Sequence, residues 1–94
     1  VDIGIIAELF DVISQRKKEM PPKSYTTSLF AEGNKKICAK VMEEAKEVCR
    51  AAKKETRQRL TEESVDVLYH LLVLLVKNGG GLEEVLNEVK KRRR

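Results

Sequence analysis

Apolar residues recur along this chain at intervals of three and four positions, the spacing of one face of an α-helix, and no strand-like alternation persists. The first such segment predicts a helix from about Asp2 to Lys18. Pro21 and Pro22 follow it, and because two prolines cannot continue a helix, they mark its end. The residues on the inner face of this helix are Ile6, Leu9, Phe10 and Ile13.

The same spacing predicts four more helices, separated by short connections. Gly33 stands at the usual C-terminal position of the second helix, and Asn34 is a suitable N-cap for the third. The run NGGG at 78–81 ends the fourth helix. The predicted ranges are about Thr26–Glu32, Asn34–Lys54, Arg57–Lys77 and Leu82 to the basic tail. The pattern favours an all-α fold, a helical bundle of about four to five helices in a single domain over residues 1–94.

The fourth helix carries more apolar surface than a surface helix needs. Its apolar residues, within ESVDVLYHLLVLLV at 63–76, cover an arc of roughly 220°, whereas roughly 100° is enough for a helix packed on one side. A chain of 94 residues cannot easily cover such an arc by itself. We therefore expect a homodimer or a higher homo-oligomer in which a second copy covers part of this helix.

The narrow polar strip of the fourth helix holds Glu63, Asp66 and His70. Glu63 and Asp66 are three positions apart, so they share one helical face. The third helix repeats this arrangement, because Glu44 and Glu47 are also three apart and border its apolar stripe. If the two helices pack as an antiparallel hairpin, the four carboxylates converge. The stripe predicted to face the core on the third helix consists of Ile37, Val41, Ala45, Val48 and Ala52.

Four carboxylates placed close together repel each other, and a bound divalent cation removes the repulsion. Ligands that are all oxygen favour a hard ion, Mg²⁺ or else Mn²⁺. Because Mg²⁺ also accepts phosphate oxygens, the acids indicate metal-assisted hydrolysis of a phosphate ester or phosphoanhydride. The residues alone leave a second interpretation open, in which the acids form an ordinary solvated helix face. A lone histidine such as His70 is more often a hydrogen-bonded core residue than a catalytic one, and Tyr69 calls for the same caution.

The charge of the chain is concentrated at its end. The net charge is +4, and removing the five cations of Lys90–Arg94 from the 19 basic residues leaves 14 against 15 acidic ones. No aromatic residues or second basic patch accompany this tail, so we expect a solvated helix end, which suits the helix dipole, and no nucleic-acid partner.

Composition also bounds where the protein works. No apolar run reaches the roughly 18 residues of a membrane span, and the first residues lack the features of a signal peptide. We therefore expect a cytoplasmic protein without membrane contact. Cys38 and Cys49 lie roughly 16 Å apart along one predicted helix, too far to pair, so reduced and buried thiols are expected.

The acidic motifs carry a resemblance to a known family. EEAKE at 43–47, followed after fifteen residues by ESVD at 63–66, resembles the EExxE…ExxD signature of the all-α nucleoside-triphosphate pyrophosphohydrolases, the MazG-type superfamily. Within that superfamily, SYTTSLFAEGNKKICAKVMEEAKEV at 24–48 and ESVDVLYHLLVLL at 63–75 are similar to the phosphoribosyl-ATP pyrophosphohydrolases. The likeness extends over nearly the whole chain.

This resemblance implies hydrolysis of phosphoribosyl-ATP to phosphoribosyl-AMP and pyrophosphate, the second step of histidine biosynthesis, by Mg²⁺-assisted attack of water on the α-phosphorus. It also implies a dimer whose active sites lie near the subunit interface, where basic residues of a neighbour, including its tail, approach the substrate. The catalytic and metal-binding acids it implies are Glu44, Glu47, Glu63 and Asp66. Glu43 would either support these acids without binding the ion itself or bind a further ion that arrives with the substrate. The substrate-binding residues it implies are Lys36 and Lys40, which meet phosphate oxygens, and Ser24, Tyr25 and Thr26, which form part of the pocket.

Two other functions compete with this one. A MazG-type house-cleaning enzyme would hydrolyse ordinary or damaged nucleoside triphosphates with the same acids. A non-enzymatic helical interaction module would use the basic tail to bind nucleic acid, in a salt-sensitive manner and without hydrolysis.

Overall fold

The computed structural model describes residues 2–93, and every regular element within them is an α-helix. The helices are α1 (Gly4–Glu19), α2 (Tyr25–Glu32), α3 (Asn34–Lys54), α4 (Arg57–Lys77) and α5 (Leu82–Arg92). The prediction of an all-α chain is confirmed, and the predicted helix ends agree with the observed ones to within two residues. The predicted tail is the end of α5, and its last residue, Arg94, lies outside the described residues.

The two longest helices, α3 and α4, form a hairpin and share the most extensive contact in the fold. At the turn, Thr56 caps α4, because its hydroxyl oxygen accepts a hydrogen bond from the Arg59 backbone N–H at 3.1 Å. At the other end, the side-chain amides of Asn34 and Asn78 form a reciprocal pair, with both N–O distances 2.9 Å. The prediction that Asn34 caps α3 is therefore wrong: α3 follows Gly33, whose φ of 83° favours glycine, and the Asn34 side chain reaches α4 instead.

Helices α1 and α2 pack against this hairpin and close the core. Lys17 of α1 donates a hydrogen bond from Nζ to the backbone oxygen of Val76 at 3.0 Å, which fastens α1 to the end of α4. The buried core residues come from α1, α2, α3 and α4 and are Ile13, Leu29, Phe30, Ile37, Leu72, Val73 and Val76. The predicted inner face of α1 is confirmed, since Ile13 is buried and Ile6, Leu9 and Phe10 pack against the same cluster.

Replacing Ile13 with alanine is expected to destabilise the protein by about 2–5 kcal/mol, because Ile13 is 1% exposed and the change leaves a cavity in the core. Ile5, on the same helix, is 54% exposed, so Ile5→Ala is the matched control and is expected to change the free energy of unfolding by less than about 0.5 kcal/mol. Chemical denaturation of both variants measures the difference. Equal losses would show that α1 does not pack in solution as described.

Helix α5 contributes no buried residue, and its Leu86 and Val89 are exposed. Among residues 2–93, no single helix is long and apolar enough to cross a membrane; α4 and α5 meet that criterion only together, and they are bent by 115° where they meet.

Part of the apolar stripe predicted for α3 faces outward. Ala45 and Ala52 are exposed, while Ala51 is buried in their place, so the core contacts a face turned slightly from the predicted one. Cys38 and Cys49 are free, as predicted, but both are exposed, so the expectation of buried thiols is wrong.

Both helices of the hairpin have apolar residues that lie outside the core, and we call these residues together the apolar face. It consists of Met42, Ala45 and Cys49 of α3 and Val67, Leu68 and Leu71 of α4. Met42 is 65% exposed and Leu71 is 41% exposed. The chain thus leaves part of the wide apolar arc of α4 uncovered, as the sequence predicted for a single copy.

Candidate metal centre

The α3–α4 hairpin brings three acidic side chains together. Glu44 comes from α3, and Glu63 and Asp66 come from successive turns of α4. One carboxylate oxygen from each lies within 4.8 Å of the other two. Glu63 is 7% exposed and Glu44 is 9% exposed, whereas Asp66 is open to solvent. The predicted convergence of acids from the two helices is therefore present for these three.

The surroundings of Glu63 disfavour its charged form. Burial raises the pKa of the Glu63 carboxyl, and the nearby charges of Asp66 and Glu44 raise it further. The Arg59 guanidinium acts in the opposite direction but does not cancel these effects. A site that opposes its own negative charge is one that a cation stabilises.

Two basic side chains neutralise part of the cluster. Arg59 Nη2 is ion-paired with Glu63, and the same guanidinium contacts Glu62 at 2.6 Å and Glu55 at 3.3 Å. Lys40 Nζ lies 3.4 Å from Glu44 Oε1. Since three oxygen donors within 4.8 Å suit a hard divalent cation, the residues present can hold a metal ion.

The other two predicted acids lie outside this group. Glu47 is half-buried, and its carboxylate is paired with Arg50 at 3.4 Å. Glu43 is exposed and contacts Lys40 at 3.2 Å, in agreement with the outward direction predicted for it. The structure thus places Glu44, Glu63 and Asp66 as a cluster and the remaining two acids on the neighbouring surface of α3.

The residues predicted to form part of the substrate pocket, Ser24–Thr26, lie against α4; we call them the predicted substrate turn. Ser24 caps α2, since its hydroxyl oxygen accepts a hydrogen bond from the Thr27 backbone N–H at 3.2 Å. Tyr25 Oη and His70 Nε2 are hydrogen-bonded at 2.8 Å, and the Thr26 and Tyr69 hydroxyl groups are hydrogen-bonded to each other. These contacts hold the start of α2 one turn beyond Asp66.

The two predicted phosphate-binding lysines differ in position. Lys40 contacts the acid cluster directly through Glu44. Lys36 is exposed and lies on α3 one turn before Lys40. It is eight residues before Glu44, about 12 Å from it along the helix axis. It therefore lies on α3 outside the cluster.

Sequence reasoning missed the pairing of Tyr25 with His70 and of Thr26 with Tyr69. These partners are 45 and 43 residues apart, and no local pattern signals such contacts. The Arg59–Glu63 ion pair was also missed, although its four-residue spacing on one helix is a recognisable signal.

Comparison with known proteins shows the family of the chain. Residues 6–93 match the sequence model of the family described as phosphoribosyl-ATP pyrophosphohydrolase. The chain belongs to this family. Family membership confirms the resemblance drawn from the acidic motifs and disfavours the two competing functions.

Three relatives are similar to this protein over nearly the whole length of its chain. The phosphoribosyl-ATP pyrophosphatase of Metallosphaera sedula is 46% identical over 88 residues, which are 94% of this chain and 95% of that protein. The protein of the same name from Pyrobaculum arsenaticum is 48% identical, with 96% of each chain covered. The histidine biosynthesis bifunctional protein HisIE of Bacillus subtilis is 52% identical over 89 residues, but the chain spans only 43% of its length.

Proposed function

We propose that Glu44, Glu63 and Asp66, joined by Glu47, hold the Mg²⁺ ion for hydrolysis of phosphoribosyl-ATP to phosphoribosyl-AMP and pyrophosphate. Phosphoribosyl-ATP pyrophosphatase activity in histidine biosynthesis follows from family membership and from the relatives that carry this name. The observation that supports the site is the convergence of three carboxylates, two of them buried, at a position where Glu63 is already destabilised as an anion.

Mg²⁺ in this site supplies charge neutralisation for the triphosphate and Lewis acidity for the attack of water. Glu44, Glu63 and Asp66 supply the oxygen ligands, and their carboxylates can also accept hydrogen bonds from the attacking water. Lys40, next to Glu44, is within reach of phosphate oxygens held at the cluster. The ion pair between Glu47 and the exposed Arg50 is weak, so releasing the Glu47 carboxylate from it costs little.

Removal of divalent cations tests the proposed site. Protein treated with a chelator is expected to release no pyrophosphate from phosphoribosyl-ATP, and added Mg²⁺ is expected to restore the reaction, because the acids cannot bind a polyanion without a cation. Circular dichroism before and after treatment controls for unfolding. Full activity in the chelator would disprove metal-assisted catalysis.

A parallel panel of ordinary nucleoside triphosphates distinguishes phosphoribosyl-ATP hydrolysis from a house-cleaning activity.

The assembly is also part of this proposal. The apolar face remains open in one copy, and α5 exposes further apolar side chains, so a second copy that covers them would bury surface unfavourable in water. Such a homodimer packs beside α3 and α4, the helices that carry the acids. Basic residues of a partner's α5 would then approach the triphosphate, as the resemblance implies.

A further inference from the structure

The chain has one histidine, and both of its ring nitrogens have hydrogen-bond partners. His70 is 5% exposed. Its Nδ1 lies 2.8 Å from the backbone oxygen of Asp66, and its Nε2 lies 2.8 Å from Tyr25 Oη. The side chain therefore joins the backbone of the acid cluster to the predicted substrate turn.

The two partners of His70 fix the direction of both hydrogen bonds. A backbone carbonyl oxygen can only accept, so Nδ1 must carry the hydrogen that it donates to Asp66. The neutral imidazole has a single N–H, so Nε2 is then an acceptor. It follows that Tyr25 donates its hydroxyl hydrogen to His70. The Tyr25 hydroxyl group has only this one hydrogen to donate. Its oxygen can therefore form further hydrogen bonds only as an acceptor.

Charged side chains in and around the acid cluster act on the Tyr25 hydroxyl group. The Tyr25 side chain is half-exposed, while its hydroxyl group is held by the buried histidine. Burial raises the pKa of the Tyr25 phenol, and among the charges that act on it are Lys40, which lowers the pKa, and Glu44, which raises it. The hydroxyl group thus contacts His70 and is close enough to the cluster for charges there to act on it.

Neighbouring contacts hold the ring in this orientation. Tyr69 stacks on Tyr25 with ring centroids 6.5 Å apart, and His70 meets both rings edge-on, at 5.9 Å from Tyr25 and 5.3 Å from Tyr69. Lys40, whose charge acts on Tyr25, is paired with Glu43 and Glu44. Among residues 2–93, the hydrogen bond with His70 is the only one that the Tyr25 hydroxyl group makes. The acceptor side of the hydroxyl group therefore remains available to a ligand.

We propose that His70 is a positioning residue that makes the Tyr25 hydroxyl group a hydrogen-bond acceptor, so that Tyr25 recognises a donor on the substrate, a ribose hydroxyl or a base amine, and not a phosphate oxygen. This inference rests on the proposed function, because it assumes that substrate binds at the acid cluster. An ionised phosphate oxygen carries no hydrogen and cannot donate to this group. Tyr25 then acts on the nucleoside or ribose part of the substrate, while Lys40 and the metal site act on its phosphates.

Nuclear magnetic resonance of the histidine nitrogens tests the hydrogen-bond direction without any activity measurement. Because the chain has one histidine, nitrogen-15 labelling of that residue type gives a spectrum of His70 alone. About two pH units above the ordinary histidine pKa of about 6.5, the spectrum is expected to show the tautomer with hydrogen on Nδ1. Hydrogen on Nε2 would overturn the proposal, whether or not the enzyme is active.

Steady-state kinetics tests the substrate contact. Tyr25→Phe is expected to raise KM for phosphoribosyl-ATP by about 3- to 10-fold with little change in kcat, the effect of losing one hydrogen bond that is equally strong in the ground and transition states. His70→Phe is expected to have a similar effect, and the double variant no more than either single one. His70→Gln, whose amide oxygen can still accept from Tyr25, is expected to restore KM toward the wild-type value.

Tyr69→Phe is the matched control, because it removes the other hydroxyl group of this aromatic cluster. A purely structural role of His70 predicts a lower denaturation midpoint for His70→Phe, KM values that add in the double variant, and no rescue by His70→Gln; that pattern overturns the proposal. So does an unchanged KM in Tyr25→Phe when the wild type is active. An inactive wild type in Mg²⁺ would instead contradict the proposed function itself, which separates the two failures.

Discussion

Asp66→Asn is expected to lower pyrophosphate release from phosphoribosyl-ATP by roughly 100-fold or more, since a bound metal supplies several kcal/mol of transition-state stabilisation. The same change is expected to leave the ion-free protein at least as stable as the wild type. Asp66 is exposed, and no ion pair within residues 2–93 involves its side chain. Its loss therefore removes repulsion with Glu63 and breaks no compensating contact.

The pH dependence of stability follows from the raised pKa of Glu63. Because the folded-state pKa lies above the unfolded one, the folded state binds this proton more tightly. The contribution of the protonated Glu63 carboxyl to stability is fully present at a pH below its pKa in the unfolded chain. This contribution is lost as the pH rises through its higher pKa in the folded protein. Asp66→Asn removes one cause of the shift, so the ion-free variant is expected to lose less stability over that interval.

The control for this prediction is Asp11→Asn, because Asp11 is also exposed but lies on α1, away from the cluster. Enzyme assays, calorimetric titration with Mg²⁺ or Mn²⁺, and denaturation in a chelator compare both variants with the wild type. Asp11→Asn is expected to resemble the wild type in all three. An Asp66→Asn protein that folds normally and keeps full Mg²⁺-dependent activity would show that Asp66 is not a metal ligand.

Leu71→Glu is expected to convert the proposed homodimer to monomers. Leu71 lies in the apolar face, and burying a carboxylate against a second copy without a partner costs several kcal/mol, which is enough to dissociate a dimer at micromolar concentration. The matched control is Val12→Glu, which introduces the same charge at an exposed apolar residue of α1. Analytical ultracentrifugation is the measurement.

The wild type and Val12→Glu are expected to sediment as dimers or larger species. A wild-type protein that sediments as a folded monomer at high concentration would contradict the assembly. If Leu71→Glu remains assembled and Val12→Glu dissociates, the interface lies on α1 and the apolar face has another use.

Local chemistry made the helices predictable. Prolines and glycines interrupt an otherwise helical pattern, and Thr56 stands where α4 needs a cap, so the ends of α3 and α4 could be found from sequence. The acids of the cluster could be found because a hairpin of two long helices brings i, i+3 pairs together.

Long-range contacts and unsatisfied surfaces were not predictable in the same way. The Tyr25–His70 hydrogen bond depends on where α2 comes to lie on α4, which no spacing encodes. Cysteine is usually buried, so burial was the reasonable expectation for Cys49, yet this residue lies on the apolar face, which one copy leaves open. Asn34 had a local role available as a cap, but a distant amide provides two hydrogen bonds instead.

The three uses of α4 have a consequence for its tolerance of mutation. One side carries the core residues Leu72 and Val73, a second carries Glu63, Asp66 and His70, and a third belongs to the apolar face. From Glu63 onward, few side chains of α4 lie outside the core, the acid cluster and the apolar face. Most substitutions there are expected to disturb packing, the proposed metal site or the proposed assembly, whereas exposed positions of α1 such as Ile5 and Val12 are expected to tolerate change. Engineering of solubility or labelling sites is best directed to such exposed positions of α1, away from its core-facing residues.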